Sequence, residues 1–408
     1  MRAIPQRARA YGFSKPAVVN PLAPFQVIAD GNGTIGSGPS VVYRNGATYF
    51  GWVNSSGDVG ITKYVHATQA LTSFTLAAAF EVNGHDNATI SILPDGRIMC
   101  LYCKHNDTGE MRMRISTSAY DISAWSPQTT VDVLNSGGGM AYNLTFQLSV
   151  TGKTYMLYRA GSWAQRMRAT VDGSTWDTDR VVISNGSQRP YPQVYSDGVS
   201  RVDFVFSTGN PAQVANSLYH GYMISDAGGT ETYYKSDGTL IGAAPLTPAN
   251  ATLVYDGTSQ DGWAWDIATG PDGHPWVLWV KYVTPGTDHR HMFSRWTGLA
   301  WVHTEITPSG GSIDTQTYSD GQACFDGNDP TKAYLSKRVG SWNEIQLWET
   351  SDSGATWSKT ADITSGSSVH AFTPRSPEGH AGDLTVSWYS GTQVDYLDYD
   401  TAIRAAGA

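Results

Sequence analysis

Seven short turns recur along the chain, separated by 46 to 75 residues, and each turn lies between two strand-like runs. Four of them are Asn-Gly or Asp-Gly pairs, which supply the positive φ angles that two-residue hairpins need. A unit that repeats at about this period is typical of folds in which similar copies pack side by side. The turns are Asn45-Gly46, Asp95-Gly96, Thr151-Gly152, Asp197-Gly198, Asp272-Gly273, Asn328-Asp329 and Gly382-Asp383.

The runs that follow these turns are short and rich in aromatic and β-branched residues, as in Ala47–Val53. Such runs predict strands, and a repeat that holds four short strands is a blade of a β-propeller. We therefore expect an all-β fold, a seven-bladed β-propeller of four-stranded antiparallel blades over residues 26–408, with residues 1–25 as an N-terminal arm or linker. A β-sandwich or a pair of β-domains is the alternative, and the near-even spacing of the turns favours the propeller. The longest interval leaves room for an insertion near Asp226–Leu246.

Two segments match the Asp box, a turn motif of propeller blades. Thr350–Trp357 reads T-S-D-S-G-A-T-W, and Thr170–Trp176 is a shortened version. In both, the Asp and the Ser or Thr side chains can hydrogen-bond the backbone of their own turn, and we expect the Trp to pack between blades. These motifs support the propeller and carry no information about chemistry.

The composition of the 408-residue chain excludes some classes of function. Its net charge is −9, which argues against a nucleic-acid partner, because phosphate binding requires a basic surface. It contains no run of 18 apolar residues, so we expect no membrane insertion. Residues 1–10 lack the apolar stretch of a signal peptide. We expect a protein that is cytoplasmic before release and then extracellular or associated with a virion.

The three cysteines include a C-x-x-C motif, Cys100 and Cys103, within a strand-like run. Positions i and i+3 of a strand point to opposite faces, so we expect these thiols to pack in the core and not to share a metal. An odd number of cysteines gives no disulfide framework. His289 and His291 share a strand face, and we interpret them as part of a polar rim. We assign no metal ligands and expect no cofactor to be required, which leaves open a structural metal ion.

Hairpin geometry predicts where a functional site would form. If the seven turns lie on one face of the propeller, the other ends of the strands that they join lie on the opposite face. At those ends, His85 and His105 flank the second hairpin and Tyr142 and Arg159 flank the third. Each alone would be an ordinary polar residue, but together we expect them to converge as catalytic residues, with His220 close by. The neighbouring ends carry candidate substrate-binding residues: Asn87, Asn106, Arg189, Tyr191, Trp263 and Lys281.

This set lacks the two Asp or Glu side chains that a standard glycosidase needs. It suits β-elimination from a uronic acid, in which a proton leaves C5 and the bond between C4 and O4 breaks. An Arg or a protonated His can neutralise the substrate carboxylate. A neutral His or a phenolate can take the proton, and a Tyr hydroxyl can protonate the leaving oxygen. Because a nearby cation lowers the pKa of a phenol, we expect Arg159 to help a Tyr act as a base.

Short stretches of the chain resemble a known family, the ulvan lyases built on seven-bladed propellers, within the wider group of Asp-box or BNR-type repeat proteins. The resemblance runs from about Gly38 to about Tyr399 and implies eliminative cleavage next to a uronate in a sulfated, rhamnose-containing polysaccharide. By motif, the family's catalytic residues correspond to His85, His105, Tyr142, Arg159 and His220. The stretches are Gly84–Asn87, Leu93–Arg97, Lys104–Asn106, Tyr158–Gly161, Arg189–Pro192, Asn216–His220 and Lys235–Leu240.

A second function also fits the sequence: a non-catalytic glycan-binding protein of a phage tail or virion surface. It is favoured by the absence of a signal peptide, by basic residues in the arm that could bind other virion or tail proteins, and by aromatic residues such as Trp163 and Trp342, on which sugar rings can stack. A protein–protein scaffold is a third alternative, which the fold alone does not exclude. For the first two functions the expected partner is an acidic polysaccharide.

Overall fold

The computed structural model describes residues 22–33, 38–106, 109–132, 139–319 and 322–408, and in these ranges 30 strands form seven antiparallel sheets. Blade 1 consists of β2 (Val41–Arg44), β3 (Ala47–Val53), β4 (Val59–Val65) and β5 (Ala70–Ala77). Blade 2 consists of β6 (Thr89–Ile92), β7 (Ile98–Tyr102), β8 (Glu110–Ile115) and β9 (Thr129–Asp132). Blade 3 consists of β10 (Ala141–Leu148), β11 (Lys153–Ala160), β12 (Ala164–Thr170) and β13 (Arg180–Ile183).

The later blades follow the same order. Blade 4 consists of β14 (Pro192–Ser196), β15 (Arg201–Ser207), β16 (Leu218–Ser225), β17 (Glu231–Lys235), β18 (Leu240–Gly242) and β19 (Thr252–Tyr255). Blade 5 consists of β20 (Gly262–Thr269), β21 (Pro275–Thr284), β22 (Asp288–Trp296) and β23 (Trp301–Gly310). Blade 6 consists of β24 (Ala323–Phe325), β25 (Lys332–Val339), β26 (Trp342–Glu349) and β27 (Ser358–Asp362). Blade 7 consists of β28 (His370–Arg375), β29 (Val386–Gln393), β30 (Tyr399–Ala406) and β1 (Phe25–Ile28). A 3-10 helical turn, η1 (Gly84–Asp86), precedes β6.

Each of the seven turns expected from the sequence joins the first and second strands of one blade. The first strands of neighbouring blades contact each other, from β2 and β6 through to β24 and β28, and so surround one axis. The seven-bladed propeller is therefore confirmed. The start of each first strand and the end of each second strand, as in β10 and β11, lie on the face opposite the turns, which we call the upper face.

Blade 7 is assembled from both ends of the described chain. β1 pairs with β30, with Phe25 opposite Ala405, and forms the outermost strand of this sheet. Leu22 extends the attachment, because its backbone exchanges hydrogen bonds with Asp383 and Gly407. Residues 1–21 of the expected arm lie outside the described residues.

Blade 4 departs from the four-stranded pattern that the repeat predicts. One edge of β16 pairs with β15, and the other pairs with β19 over residues 218–220 and with β17 over residues 221–225. β17 continues into a hairpin with β18, so this sheet has six strands. The hairpin lies within the insertion expected near Asp226–Leu246, which accounts for the longest interval between turns.

Apolar side chains pack between adjacent blades. Trp357 of the longer Asp box packs on Phe293 of blade 5, with ring centroids 5.3 Å apart, while Asp352 accepts the backbone N–H of Thr356 within the turn. Cys100 packs among residues shared with blade 1, and Cys103 packs among residues shared with blade 3. The two thiols therefore lie on opposite sides of blade 2, as their spacing predicts.

A buried histidine links blade 1 to blade 7. His66 Nδ1 lies 2.6 and 2.7 Å from the two carboxylate oxygens of Asp383, and its Nε2 lies 2.8 Å from the hydroxyl of Thr48. The side chains of His66 and Asp383 are only 10% and 5% exposed. Because buried polar groups need partners, this contact is expected to fasten the two blades that meet where the ring closes.

We expect His66→Ala to lower the free energy of unfolding by about 1–3 kcal/mol, because the hydroxyl of Thr48 loses its partner and the buried carboxylate of Asp383 keeps only the backbone N–H of Leu384. Lys359→Ala is the matched control, since it breaks an exposed ion pair with Asp362 and should cost less than about 1 kcal/mol. Urea unfolding followed by tryptophan fluorescence measures both. Equal losses in the two variants would show that His66 does not fasten the ring.

Candidate active site

Four side chains meet on the upper face between blades 2 and 3. His85 lies in η1, just before β6, and His105 follows β7. Tyr142 is the second residue of β10, and Arg159 lies near the end of β11. The structure thus brings together the four residues that hairpin geometry places at adjacent strand ends. Their catalytic roles stay predictions.

The two imidazole rings stack on each other, with centroids 3.9 Å apart and planes inclined by 7°. His85 Nε2 lies 3.0 Å from the hydroxyl oxygen of Tyr142. Tyr396, from the connection between β29 and β30, packs edge-on against both imidazoles. Asn83 touches both rings as well, with its Oδ1 2.7 Å from His85 Nδ1 and its Nδ2 3.4 Å from His105 Nδ1.

Tyr142 has an unusual backbone conformation, with a φ of +58°. β10 contains a bulge here, because Ala141 pairs with Arg159 and Leu144 pairs with Leu157, which leaves one extra residue in β10. A positive φ is unfavourable for a bulky side chain, and such strain is concentrated at functional sites. The bulge interrupts the alternation of the strand at the residue whose hydroxyl meets His85.

Arg159 is almost completely buried, with 1% of its surface exposed. Its guanidinium carbon lies 4.7 Å from the ring centroid of Tyr142 and 5.1 Å from that of Trp163. Its Nε donates to the carbonyl of Gly139 at 2.6 Å, but its buried Nη2 has no hydrogen-bond partner among the described residues. Leaving a buried charged donor unpaired is costly, so the unused hydrogen-bonding capacity of Arg159 Nη2 marks it as a candidate to bind an anion.

Burial keeps both histidines neutral. It lowers the pKa of His85 well below its ordinary value, and the neighbouring His105 and Arg159 add to this effect. Burial, followed by the charges of Arg159 and Arg189, lowers the pKa of His105 to about 4. At neutral pH each ring therefore carries one proton, and the unprotonated nitrogen of each can accept another.

Burial also keeps Tyr142 protonated. It raises the pKa of the phenol, and Tyr191 adds to the rise, whereas Arg159 and Arg189 act in the opposite direction. The expected pull of Arg159 on this pKa is therefore present, but desolvation outweighs it. In this environment Tyr142 is a proton donor and not a phenolate base.

Aromatic side chains extend from this cluster across the upper face. The ring centroids of Tyr142 and Tyr191 lie 5.3 Å apart, those of Tyr191 and Trp263 4.9 Å, and those of Trp263 and Trp265 5.8 Å. We call these four residues the aromatic row. It runs past the starts of the first strands of blades 3, 4 and 5, so its length is set by the spacing of the blades around the axis.

A second arginine lies beside the cluster. The guanidinium of Arg189 sits 3.9 Å from the ring centroid of Trp163, the same ring that contacts Arg159. The indole thus contacts two cations, an arrangement that stabilises positive charge at this end of the aromatic row.

His220 is not part of this cluster. Its ring is fully buried, with Nε2 3.1 Å from Asp203, Nδ1 2.9 Å from the hydroxyl of Ser236, and Trp301 of blade 5 packed against it. The sequence placed it near the upper face because it lies close to the start of β16. β16 is the third strand of its blade, however, and lies farther from the axis than the first two.

The other expected binding residues differ in position. Arg189, Tyr191 and Trp263 border the cluster or belong to the aromatic row, as described above. Asn106 is exposed next to His105, and its backbone N–H donates to the carbonyl of Met140 in the neighbouring blade. Asn87 is fully buried, next to Gly33, and Lys281 is half-buried, 4.0 Å from Glu305.

Two residues of the cluster, Tyr396 and Asn83, are not predicted from the sequence. Tyr396 reaches the histidines only because blade 7 closes against blade 1, which motif analysis does not resolve. Asn83 precedes η1 and caps it, with its side chain accepting the backbone N–H of His85. Asn is a preferred N-cap residue, but that preference gives no indication of contact with a second histidine.

Among the residues that the structure describes, no group of three or more His, Cys, Asp or Glu side chains is arranged to hold a metal ion. Within the same ranges, no helix is long and apolar enough to cross a bilayer.

Sequence comparison places the chain in a family. The profile of the BNR repeat-containing family matches residues 47–309. The chain belongs to the BNR repeat-containing family. No curated protein matches the sequence.

Solved structures share the fold of this BNR repeat protein over nearly its whole length. An ulvan lyase of polysaccharide lyase family PL25, solved bound to -[GlcA(1-4)Rha3S]-, superposes with a TM-score of 0.74 at 14% sequence identity, and covers 95% of this chain and 96% of its own. A second structure of a PL25 ulvan lyase gives 0.75 at 15% identity, with 94% and 96% covered. The polysaccharide lyase Uly1 gives 0.62 at 13% identity, with 97% and 99% covered. At these identities the similarity establishes the seven-bladed fold.

A pair of carboxyl groups supports the second histidine. Asp86 Oδ1 and Glu81 Oε2 both accept the backbone N–H of His105, at 3.1 and 3.2 Å. Burial, together with the charge of Glu81 and a hydrogen bond to it, raises the pKa of Asp86 to about 10. Asp86 is therefore protonated at neutral pH.

We expect Asp86→Asn to become progressively more stable relative to the natural protein as the pH rises from about 5 to about 9. A carboxyl whose pKa is raised on folding contributes its full stability below its unfolded pKa, and this contribution is lost as the pH rises toward the folded value. The Asn amide stays neutral throughout. The measurement is the free energy of unfolding in urea at each pH.

Asp95→Asn is the control for this pH series. Asp95 is slightly desolvated, but hydrogen bonds from Arg97 outweigh this effect and lower its pKa, so it stays ionised in both states across the range and the variant should show no trend. A flat series for Asp86→Asn would contradict the assignment of a protonated Asp86.

Proposed function

We propose that this protein is a polysaccharide lyase that cleaves an acidic glycan next to a uronic acid by β-elimination. The observation that carries the proposal is the combination of a buried Arg159 nitrogen, which has no hydrogen-bond partner among the described residues, with the contact between His85 and Tyr142. A cation for the carboxylate, a neutral base and a protonated acid are the three groups that this reaction needs. The fold shared with ulvan lyases supports the same conclusion.

Arg159 would bind the uronate carboxylate. In β-elimination, negative charge builds up on this group as the C5 proton leaves, so a fixed cation stabilises the transition state more than the bound substrate. Its burial strengthens the interaction, because the effective dielectric constant around Arg159 is low. Neutralising the carboxylate also makes the C5 proton more acidic.

The proton transfers then balance within the pair of His85 and Tyr142. The C5 proton passes to His85 Nε2, the electrons of that bond form the double bond between C4 and C5, the C4–O4 bond breaks, and O4 takes the hydroxyl proton of Tyr142. Afterwards a proton returns from His85 to Tyr142 across their 3.0 Å contact, which restores both groups. Burial favours the starting state, a neutral imidazole and a neutral phenol.

Trp263, the one half-buried ring of the aromatic row, and Arg189 would hold the glycan beside the cleaved bond. Aromatic rings offer flat apolar surfaces to sugar rings, and Arg189 offers a second cation for a carboxylate or a sulfate. Ulvan, with its uronate and sulfated rhamnose, is the first substrate to test, since the neighbouring PL25 structure was solved bound to -[GlcA(1-4)Rha3S]-.

We expect Tyr142→Phe to reduce kcat on a uronate polysaccharide by about 10²–10⁴-fold, the usual contribution of general acid catalysis. The measurement is the ultraviolet absorbance of the unsaturated uronate product, together with product length. Tyr155→Phe is the matched control: it removes one buried hydroxyl from the same blade, 3.2 Å from Thr151 beside the opposite turn, and should leave kcat unchanged.

Two results would contradict this assignment. Full activity in Tyr142→Phe would exclude Tyr142 as the acid. A folded natural protein that binds ulvan and other uronate polysaccharides without forming unsaturated product would favour the alternative of a non-catalytic glycan-binding protein, in which the aromatic row alone accounts for recognition.

The pH dependence of kcat/KM provides a second prediction. His85 must be neutral to take a proton, and its pKa is lowered, so activity should fall only when the pH drops below about 6.5, the ordinary value for histidine. Tyr142 must be protonated, and its pKa is raised, so activity should persist up to about pH 10. An acid limb with its midpoint above about 6.5 would exclude neutral, buried His85 as the base.

A further inference from the structure

Asn83 is the one side chain among the described residues whose amide contacts both stacked histidines. We infer that Asn83 is a positioning residue that fixes the tautomers of His85 and His105, so that His85 presents an unprotonated Nε2 to Tyr142. The inference deepens the proposed function and rests on it for its catalytic consequence. The tautomers themselves can be measured whether or not the protein cleaves a glycan.

The orientation of the amide follows from a backbone contact. The backbone N–H of His85 lies 3.1 Å from Asn83 Oδ1. A backbone N–H can only donate, so the atom that faces it must be the amide oxygen and not the NH₂ group. The same oxygen lies 2.7 Å from His85 Nδ1. Because an amide oxygen can only accept, His85 Nδ1 must carry the proton of the neutral ring.

The other ring nitrogen of His85 is then free of a proton. His85 Nε2 can accept the hydroxyl of Tyr142 at 3.0 Å, and it can take a proton from substrate when that hydroxyl turns to the leaving oxygen. The opposite tautomer would place two acceptors, His85 Nδ1 and Asn83 Oδ1, face to face, and it would remove the base by putting the proton on Nε2. A neutral imidazole in the wrong tautomer is inactive even when its position is correct.

The NH₂ end of the same amide faces His105. Asn83 Nδ2 lies 3.4 Å from His105 Nδ1, and since the NH₂ group only donates, Nδ1 of His105 must be the acceptor. His105 therefore carries its proton on Nε2. One amide thus assigns opposite tautomers to two rings that stack 3.9 Å apart.

The selection of tautomers by Asn83 matters because both imidazole rings are neutral. A protonated histidine has a proton on each nitrogen and needs no selection, whereas a neutral histidine chooses between two forms. In the buried site water cannot compensate for a mismatched donor and acceptor, so the amide determines the choice.

The test uses the full-length protein with ¹⁵N-labelled histidine, in which long-range ¹H–¹⁵N correlation spectra distinguish the two tautomers. His85→Gln and His105→Gln assign the two signals. We expect the Nδ1–H form for His85 and the Nε2–H form for His105. Asn83→Asp should switch His105 to the Nδ1–H form and leave His85 unchanged, because a carboxylate can only accept.

Asn83→Ser separates this role from helix capping. Ser is as good a cap as Asn, but its short side chain cannot span both rings, so the variant should fold and show mixed tautomers. We expect its kcat to fall by about 10²-fold, the cost of a misplaced catalytic group, with little change in KM. Asn250→Ser is the control, since Asn250 caps the turn that begins at Thr247 in blade 4, and it should change neither spectra nor kcat.

The outcomes distinguish the possible failures. Natural tautomers in both Asn83 variants would overturn the inference. Changed tautomers with full activity would overturn its catalytic part. The expected tautomer changes in a protein that cleaves no uronate glycan would uphold the assignment of tautomers and reject the proposed function.

Discussion

The site depends on the contact between the first strands of neighbouring blades. β6 and β10 pack side by side around the axis, and this places His85 and Tyr142, 57 residues apart in sequence, within 3.0 Å of each other. No single blade holds the cluster: the imidazoles belong to blade 2, the phenol and guanidinium to blade 3, and Tyr396 to blade 7. The cluster therefore forms only when the blades are packed around the axis, and no single repeat contains it.

Desolvation supplies the protonation states that this arrangement needs. The same burial that lowers the pKa of His85 raises that of Tyr142, so a neutral imidazole and a neutral phenol lie side by side at neutral pH. The charge of Arg159 acts on both groups, yet it does not outweigh burial at Tyr142. The position of the Tyr142 hydroxyl depends on the strained backbone. The bulge in β10 brings this hydroxyl to His85, where the regular alternation of a strand would not place it.

The repeat was readable from the sequence because two-residue turns have strict backbone requirements, and those turns fix which strand ends share a face. That logic located His85, His105, Tyr142 and Arg159. It failed for His220, because position along a strand gives no information about distance from the axis. It also could not find Tyr396, whose place depends on ring closure, or foresee that β17 and β19 share one edge of β16.

The pairing of β1 with β30 has a consequence for how the molecule assembles. β1 is the first of the described strands to be synthesised, and its partner β30 is the last of them. The entropy lost in joining such distant segments grows only with the logarithm of their separation, so a modest ladder of backbone hydrogen bonds can offset it. The same blade also supplies Tyr396, from the connection between β29 and β30, to the histidines of blade 2. The blade that joins the two ends of the described chain therefore also contributes a ring to the cluster, so a chain that lacks β29 and β30 would lack Tyr396 there.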